Sequence, residues 1–382
     1  ASRALSTIPT GTEGYSYHLI HALATLASQR TWLEDIQVRL YFRDAPTSYS
    51  ETWRSLPPSI EMRILRFPRL WTHIRLSWEI IQHPPDLLFV PAHVIPLVHP
   101  RRTLVTIHDL GYRYFPEAHP WRQRYYLDIS TRWNARKATH ILADSQATRE
   151  AIIEEYDIAP EKITVVYPGY DPTLQPVRDP AILQTVQDRY GVSTPYILYL
   201  GRIQPRKNLV RLVGAFAQLV SSHPDLSLVL AGPTGWLAAP IRARVQNLGL
   251  AHRVHFPGYI AEADKAALLS GARIFAFPSL YEGFGFPVLE AQACGVPVLT
   301  SNTTSLPEVA GDGALFIDPR DENAIAAGLR ELLESTSLRQ DIIRYGSENL
   351  ARFSWKRTAH TVAELMKAVV NSQAPCSGHA TS

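Results

Sequence analysis

The chain has 382 residues, a length that predicts two domains rather than one ordinary hydrophobic core. Apolar residues make up 46% of it, as in soluble globular proteins, and no uninterrupted apolar run approaches the roughly 18 residues of a membrane span. A formal net charge of +3 argues against nucleic-acid binding, and the two cysteines, Cys294 and Cys376, exclude a disulfide framework and favour a reducing cytoplasm.

The two ends of the chain depart from the pattern of the rest. A Rossmann-like domain opens with a hydrophobic strand before its first glycine turn, yet only residues 1–10 precede Gly11. We therefore expect the first strand of the amino-terminal domain to be missing, the alternative being a mature or engineered start with a smaller sheet. Residues 371–382 are mostly small and polar and are predicted to be disordered.

Strand-like apolar runs alternate with helical stretches along the chain. In the first half the runs are residues 86–90, 103–107, 140–143 and 163–167. In the second half they are residues 196–200, 226–230, 254–256, 274–277 and 296–299. This rhythm predicts two doubly wound α/β domains with parallel sheets. The proline-rich stretch 168–195 should hold the linker, and facing strand ends should form a cleft for a ligand.

Basic and aromatic residues are mixed in two parts of the first half. The first set is Arg63, Arg66, Phe67, Arg69, Trp71, Arg75 and Trp78, and the second is Trp121, Arg122, Arg124, Arg132, Trp133, Arg136 and Lys137. Such a mixture suits an anionic membrane surface. The alternative, which we prefer on the sequence alone, is that the aromatic rings are core and the arginines a solvated rim.

The predicted strand 196–200 runs into a loop with three cations, Arg202, Arg206 and Lys207. Clustered cations at the end of a buried strand indicate a phosphate site.

Glu282 and Glu290 flank a turn that contains Gly283 and Gly285 and follows the predicted strand 274–277. Pro287 suits the first position of a helix, which would leave the preceding amides pointing outward, ready for oxyanions or hydroxyls. The alternative is that Glu290 merely complements the helix dipole and Glu282 is a solvated loop residue.

Six motifs in a fixed order give the chain a family resemblance. They are residues 10–15, 106–110, 143–148, 167–171, 201–208 and 282–290. With them the chain resembles retaining glycosyltransferases of family four, whose members include bacterial mannosyl- and glucosyltransferases that build surface polysaccharides. The resemblance implies the GT-B fold, with two Rossmann-like domains facing a cleft. It also implies an acceptor domain at 1–172, a donor domain at 173–354, a helix at 355–370 that crosses back to the first domain, and a tail at 371–382.

The resemblance assigns roles to the residues of the two loops. Arg202 and Lys207 would grip the diphosphate of a nucleotide-sugar and stabilise the charge of the leaving group. Glu290 would accept hydrogen bonds from the ribose, and Glu282 from hydroxyls of the donor sugar, so neither acts as an acid or base. The remaining donor-site positions that it implies are Gly258, Tyr259, Gly283, Phe284 and Gly285.

His108 matches the histidine that family members place beside the donor sugar, and Gly11 matches the glycine of a loop near the phosphates and acceptor. Gly14 stands where relatives often carry arginine, so any contact of that arginine is lost. Asp109 has the alternative role of capping the loop that follows it, and Ser145 is predicted to cap a helix rather than touch substrate.

The resulting prediction is a retaining transfer of a hexose, mannose or glucose, from a GDP- or UDP-hexose to a saccharide or a lipid-linked acceptor. The chain has no Asp-x-Asp element, so we expect no metal and no cofactor besides the donor. The expected location is the cytoplasm, with peripheral contact at the inner face of the membrane left open. Two alternatives remain, a non-catalytic sugar-binding relative and an NAD-dependent oxidoreductase, although the oxidoreductase would need a Gly-x-Gly-x-x-Gly turn that neither half shows.

Overall fold

The computed structural model describes residues 11–28, 37–44, 59–92, 94–116, 120–235 and 238–371. The expectations for residues 1–10 and for the tail after residue 371 fall outside these ranges. Contacts divide the chain into two compact units, which we call the first and second unit. The first unit comprises Ala1–His108, Tyr125–Gly169 and Ser354–Ser382, and the second comprises Asp109–Arg124 and Tyr170–Phe353.

The first unit contains two parallel sheets. Four strands, β3 (Leu88–Val90), β4 (Thr103–Ile107), β5 (His140–Ala143) and β6 (Ile163–Val165), form one sheet in that order. All five residues of β4 are buried, including Thr103 and Thr106, as expected for a strand that is covered on both faces. The strands β1 (Val38–Phe42) and β2 (Ile60–Ile64) pair with each other as a second sheet. The apolar runs did not predict β1 or β2.

Helices surround these sheets. In the first unit the helical elements are Gly11–Ser28, a π-helical turn Thr72–Leu76 that continues into Ser77–Gln82, most of Trp121–Lys137, Gln146–Tyr156 and Trp355–Asn371. Ser145 caps one of them, since its hydroxyl accepts a hydrogen bond from the amide of Thr148 at 3.0 Å, as the sequence predicts. Trp355 stacks on His18 at a ring separation of 5.2 Å, so the last described helix packs on the first. Among the described residues, no helix is long and apolar enough to cross a membrane.

The second unit is built on one six-stranded parallel sheet. Its strands are β7 (Tyr196–Leu200), β8 (Ser227–Ala231), β9 (Val254–Gly258), β10 (Ile274–Phe277), β11 (Val298–Ser301) and β12 (Leu315–Ile317). Their order across the sheet is β12-β11-β10-β7-β8-β9. Every residue of β7, β8, β10 and β11 is buried, which explains why their sequences are apolar apart from Ser227, Thr300 and Ser301. The short strand β12 was not predicted.

The second unit contains helices before, between and after its strands, and those between the strands connect them in the doubly wound manner. The helices are Gly111–Tyr114, Pro180–Tyr190, Leu209–Ala217, Ala239–Asn247, Glu262–Ser270, Phe286–Ala293, Leu306–Ala310, Glu322–Glu334 and Thr336–Asn349. The helix after β10 begins at Phe286, so Pro287 is its second residue and not its first. The parallel four-stranded and six-stranded sheets, with their helical connections, confirm the predicted α/β class with two Rossmann-like domains.

Candidate active site

The strand order of the second unit defines where a ligand should bind. The chain starts at β7, fills one side of the sheet with β8 and β9, and then fills the other side from β10 onward. Loops after β7 and β10 therefore leave neighbouring strands toward opposite sides, and ligands of open α/β sheets bind at such a switch point. The loop after β7 carries Arg202, Arg206 and Lys207, and the loop after β10 carries Glu282.

The side chain of Asn208 fixes the loop after β7. Its backbone is left-handed, with φ of 62°, at the end of the 3₁₀ turn Pro205–Lys207. Its amide nitrogen donates to the carbonyl of Pro278 at 3.1 Å and to that of Pro319 at 2.6 Å. One buried side chain thus ties the loop after β7 to the loops after β10 and β12.

The Glu282 carboxylate binds two of the three cations of the loop after β7, Arg206 and Lys207. The Lys207 ammonium donates to one oxygen of its carboxylate, and the hydroxyl of Ser279 donates to the same oxygen at 2.5 Å. Arg206 donates to the other oxygen at 3.0 Å and also to the carbonyl of Tyr281. The Glu282 side chain is 9% exposed, so this is a buried ion-pair cluster and not a solvated loop residue.

Burial and charge act in opposite directions on these groups. Burial would raise the pKa of Glu282, but the Coulombic attraction of Arg206 and Lys207 outweighs it and lowers the pKa to about 2. Burial lowers the pKa of Lys207 to about 8 even though Glu282 opposes that shift. Glu282 is therefore ionised at neutral pH, and the charge of Lys207 depends on its neighbours. The ammonium also lies 4.9 Å from the ring centroid of Phe277.

Arg202 differs from the two cations held by Glu282. Tyr199 donates to the carbonyl of Arg202 at 3.0 Å, which fixes its backbone at the end of β7. A Cβ at Gly235 would come within 3.3 Å of Arg202 Cγ, so the stem of the arginine lies against this glycine. Among the described residues, the Arg202 guanidinium has no hydrogen bond or ion pair. It is thus a cation with free donors at the switch point.

Glu290 lies on the helix Phe286–Ala293 and contacts a lysine that sequence reasoning missed. The ammonium of Lys265 is 3.2 Å from Glu290 and 2.8 Å from Glu262. Burial would lower the pKa of Lys265, but the Coulombic attraction of the two carboxylates raises it. The sequence gives no sign of this contact, because Lys265 lies on the preceding helix and 25 residues separate it from Glu290.

The glycine turn provides backbone rather than side-chain groups. Phe284 is 4% exposed and packs edge-on against Phe286 and Phe353, so its ring anchors the turn in the core. Gly285 has φ of 119°, a backbone conformation that L side chains rarely adopt. Gly258 ends β9 with φ of 78°, and Tyr259 beside it is 41% exposed. Gly283 lies between Glu282 and Phe284, where it adds no side chain to the turn.

A segment that precedes the second unit's sheet in the chain also packs at this turn. The amide of Leu110 donates to the hydroxyl of Tyr281 at 3.3 Å, and Tyr114 stacks on the same ring at 5.0 Å. Asp109 caps the segment by accepting from the amide of Gly111 at 2.8 Å. Burial works against the charge of Arg206, but Coulombic attraction by Glu282 and Asp109 raises its pKa. The sequence did not predict that Tyr281 contacts Leu110 and Tyr114.

His108 and Gly11 belong to the first unit. His108 follows β4, with Nδ1 2.6 Å from an oxygen of Asp144 and Nε2 2.9 Å from the carbonyl of Pro91. A carbonyl oxygen only accepts, so Nε2 carries a hydrogen. The ring of Tyr15 meets that of His108 edge-on at 4.7 Å, and Gly11 is the first residue of the helix that carries Tyr15.

The structure thus brings Lys207 and Glu282 together, places Arg202 and the glycine turn on neighbouring loops of one sheet, and places Glu290 on the helix that follows the turn. Within the described ranges, no group of three His, Cys, Asp or Glu residues is placed to hold a metal ion.

Comparison with known proteins gives the family. Glycosyl transferases group 1 matches residues 189–349, and Glycosyltransferase Family 4 matches residues 9–174. The O-antigen chain mannosyltransferase B of Escherichia coli is 32% identical over 312 residues, which are 81% of this chain and 80% of that protein. The serotype-specific mannosyltransferase WbdA of Escherichia coli is 30% identical over 77% of this chain. The match covers 36% of WbdA, so the chain spans about a third of its length.

The fold has solved counterparts. The crystal structure of HepE from Anabaena in complex with UDP and glucose superposes with a TM-score of 0.71 and 19% identity. The superposition covers 95% of this chain and 97% of that one. Matches to glycosyltransferases in both halves decide against the oxidoreductase alternative. The chain belongs to glycosyltransferase family four and has the GT-B fold.

Proposed function

We propose that the chain is a retaining hexosyltransferase that moves mannose or glucose from a GDP- or UDP-hexose to a saccharide or lipid-linked acceptor. The observation that carries the proposal is the cation cluster at the switch point, where Lys207 is held by Glu282 and the Arg202 guanidinium has no partner among the described residues. Mannose is favoured because the O-antigen chain mannosyltransferase B is similar to 81% of the chain. The reaction takes place in the cytoplasm and at the inner face of the membrane, where lipid-linked acceptors are presented.

The donor diphosphate binds between the two cations. The planar fork of Arg202 suits two phosphate oxygens, and Lys207 supplies a compact charge. A diphosphate beside Lys207 favours its ammonium form, which burial alone disfavours. These two charges stabilise the leaving nucleoside diphosphate, and the reaction needs no divalent cation for that task.

Glu282 has two functions in this proposal. Its carboxylate orients Lys207 and Arg206, because both donate to it. Its remaining acceptor capacity, together with the amides of Phe284 and Gly285, holds hydroxyls of the donor sugar. Glu290 accepts from the ribose, and Lys265 beside it fixes the position of its carboxylate. Gly283, Gly258 and Tyr259 shape the rest of the donor pocket.

Anomeric configuration is retained by attack on the same face that the diphosphate leaves, and the leaving phosphate accepts the proton of the acceptor hydroxyl. His108 lies beside the donor sugar in this proposal, where Asp144 fixes the orientation of its ring. Gly11 lets backbone approach the phosphates and the acceptor.

Arg202→Ala tests the proposal with little risk to the fold, because its guanidinium holds no partner among the described residues. We expect kcat/KM for transfer from the donor to fall by about 10²- to 10³-fold, as for loss of one charge-stabilising donor. The matched control is Arg178→Ala, an exposed arginine of the same unit, which should keep the parent rate. Equal rates for Arg202→Ala and the parent would contradict the assignment.

The donor itself is identified by thermal shift with a panel of GDP- and UDP-hexoses, since a ligand that binds the native state raises the melting temperature. A donor that stabilises the chain but is neither transferred nor hydrolysed would favour the non-catalytic alternative.

A further inference from the structure

The first unit exposes an apolar stripe along residues 70–81. Leu70, Ile74, Trp78 and Ile81 are 64%, 50%, 56% and 56% exposed. Ile74, Trp78 and Ile81 are spaced by four and three residues along the π-helical turn Thr72–Leu76 and the helix that continues it, so they share one face, and Leu70 lies just before the turn. Single exposed apolar residues are ordinary, but a continuous row of them indicates a surface that binds something.

A second exposed apolar group lies next to it. Tyr125, Tyr126 and Ile129 of the helix Trp121–Lys137 are 66%, 53% and 49% exposed, and Leu97 is 59% exposed. Tyrosine suits a boundary between water and hydrocarbon, because its ring is apolar and its hydroxyl is polar.

Contacts join the two groups into one surface. Leu97, Tyr126 and Ile129 line a cavity of about 160 Å³ together with His73, which precedes Ile74 in the stripe. The amide of Val98 donates to the hydroxyl of Ser77 at 3.1 Å, which fixes the segment of Leu97 against the helix of the stripe. We call this surface, formed by Ile74, Trp78, Ile81, Leu97, Tyr126 and Ile129, the apolar face.

The charges around the apolar face are mainly positive. Arg66, Arg69, Arg136 and Lys137 are exposed. Glu79, the acidic residue of the stripe helix, is 3% exposed and pairs with Arg63 at 2.6 Å and Arg75 at 3.1 Å, so its charge is hidden and neutralised. The helix Trp121–Lys137 has five basic residues and one acidic residue, Asp128, which accepts from Tyr156 at 3.0 Å.

We propose that the apolar face docks on the surface of an anionic phospholipid bilayer. Trp78 and Tyr126 lie at the level of the headgroups, the aliphatic side chains enter the acyl boundary, and the flanking arginines contact lipid phosphates. Exposed apolar side chains complement the acyl boundary of such a surface, and the flanking cations complement its negative charge. A neutral partner would leave the cations unexplained. The inference rests on the proposed function in one respect, which is that a lipid-linked acceptor makes bilayer contact useful.

Sedimentation of the full chain with vesicles tests the docking without donor or acceptor. We expect binding to mixed phosphatidylcholine and phosphatidylglycerol vesicles that weakens with salt, and little binding to phosphatidylcholine alone. The double variant Trp78→Ser, Ile81→Ser should bind roughly tenfold more weakly, because two large apolar side chains no longer leave water. Both positions are exposed, so the melting temperature should stay unchanged, which circular dichroism checks.

The matched control is Ile182→Ser, Tyr345→Ser, which removes two exposed apolar side chains from the second unit. It should bind vesicles like the parent. Arg66→Glu, Arg69→Glu should lose binding to the anionic vesicles specifically. Absence of sedimentation with anionic vesicles, or equal binding by the Trp78 variant and the parent, would overturn the proposal.

Two further readouts separate other outcomes. A dimer in size-exclusion chromatography that dissociates in the Trp78→Ser, Ile81→Ser variant would assign the apolar face to a second copy and overturn bilayer docking. Transfer to a water-soluble saccharide acceptor, measured on the same preparations, reports on the proposed function separately. Vesicle binding without transfer would refute the proposed function and support the docking. Transfer without vesicle binding would support the function and refute the docking.

Discussion

Glu282 accepts a hydrogen bond from Lys207 across 75 residues of sequence, and both side chains are buried. The carboxylate also holds Arg206, so it balances two cations in a place with little water. Such an arrangement orders positive charge before any diphosphate arrives, which is the preorganisation that stabilises a leaving group. In the proposed function, Glu282 is therefore as much a positioning group for cations as an acceptor for the donor sugar.

Replacement of Glu282 by glutamine should reduce both stability and transfer. The change keeps the shape and leaves two buried cations without their carboxylate, so the free energy of unfolding should fall by about 3 kcal/mol. Loss of the carboxylate also lowers the pKa of Lys207 below about 8, so the alkaline decline of kcat/KM should move to lower pH. Denaturant unfolding and a pH–rate profile measure the two effects, with the exposed Glu334→Gln as control. An unshifted alkaline limb would mean that Lys207 does not need its charge.

Acid should destabilise the chain through the same carboxylate. The pKa of Glu282 is about 2 in the folded chain and 4.5 ordinarily, so its contribution is complete above pH 4.5. That contribution is lost as the pH falls from 4.5 through about 2, because the unfolded chain then binds the proton first. Melting temperatures measured over this range should decline less steeply for Glu282→Gln than for the parent. Parallel curves would show that Glu282 is not the titrating group.

Glu290 should act through the ribose. Glu290→Gln should weaken binding of the nucleoside diphosphate by about 10-fold, as for loss of a hydrogen bond to a charged acceptor. The variant and the parent should bind the 2′,3′-dideoxy nucleoside diphosphate equally weakly, because that ligand has no ribose hydroxyl that could donate to Glu290. Calorimetric titration of the parent and of Glu290→Gln with each of the two ligands gives the coupling free energy between Glu290 and the ribose hydroxyls. A coupling near zero would place Glu290 elsewhere, with the Lys265 contact as its structural role.

His108 should affect transfer more than donor binding. In the proposed site, the second unit holds the diphosphate through Arg202 and Lys207, and His108 lies in the first unit. We therefore expect His108→Asn to lower kcat by about 10²-fold, in the range of a single positioned polar group, with the Kd of the nucleoside diphosphate unchanged. The exposed His252→Asn is the control. A weakened Kd together with an unchanged kcat would contradict this division of roles.

Gly169 should tolerate no side chain. A Cβ there would lie 2.2 Å from the backbone nitrogen of Trp355 and 2.6 Å from its Cγ, so backbone would have to move. Gly169→Ala should lower the free energy of unfolding by about 1 to 3 kcal/mol, as overpacking does. Gly14→Ala is the matched control, because nothing lies within 4 Å of its Cβ position and alanine favours the helix Gly11–Ser28. Denaturant melts of the two variants should therefore shift in opposite directions.

Sequence reasoning succeeded where burial alone dictates the pattern. β7 is apolar at every position and β4 at all but Thr103 and Thr106, because both faces of a parallel sheet are covered. β1 and β2 were missed because charges interrupt them: β2 alternates apolar residues with charges, and Arg39 of β1 pairs with Glu61 of β2 at 2.8 Å. In a sequence, the charged residues of a cross-strand pair look like loop residues, because the sequence does not show that their strands are neighbours.

In the candidate site, the sequence predicted individual residues but not the contacts between them. Spacing and composition singled out Arg202, Lys207, Glu282 and Glu290, because each lies at the end of an apolar strand or beside a glycine turn. The pairing of Lys207 with Glu282, and of Lys265 with Glu290, depends on which strands and helices are adjacent. That adjacency follows from the strand order, which no short motif contains.

Asn208 has a consequence for any attempt to change donor specificity. Its amide bonds to Pro278 and Pro319 make one side chain the common support of three loops, and its left-handed backbone suits few residues. Glycine would accept the conformation and lose both bonds, and alanine would lose the bonds and strain the backbone as well. Donor-specificity libraries should therefore vary Tyr259 and its surroundings and keep Asn208, because a change there would displace every loop that a new donor has to meet.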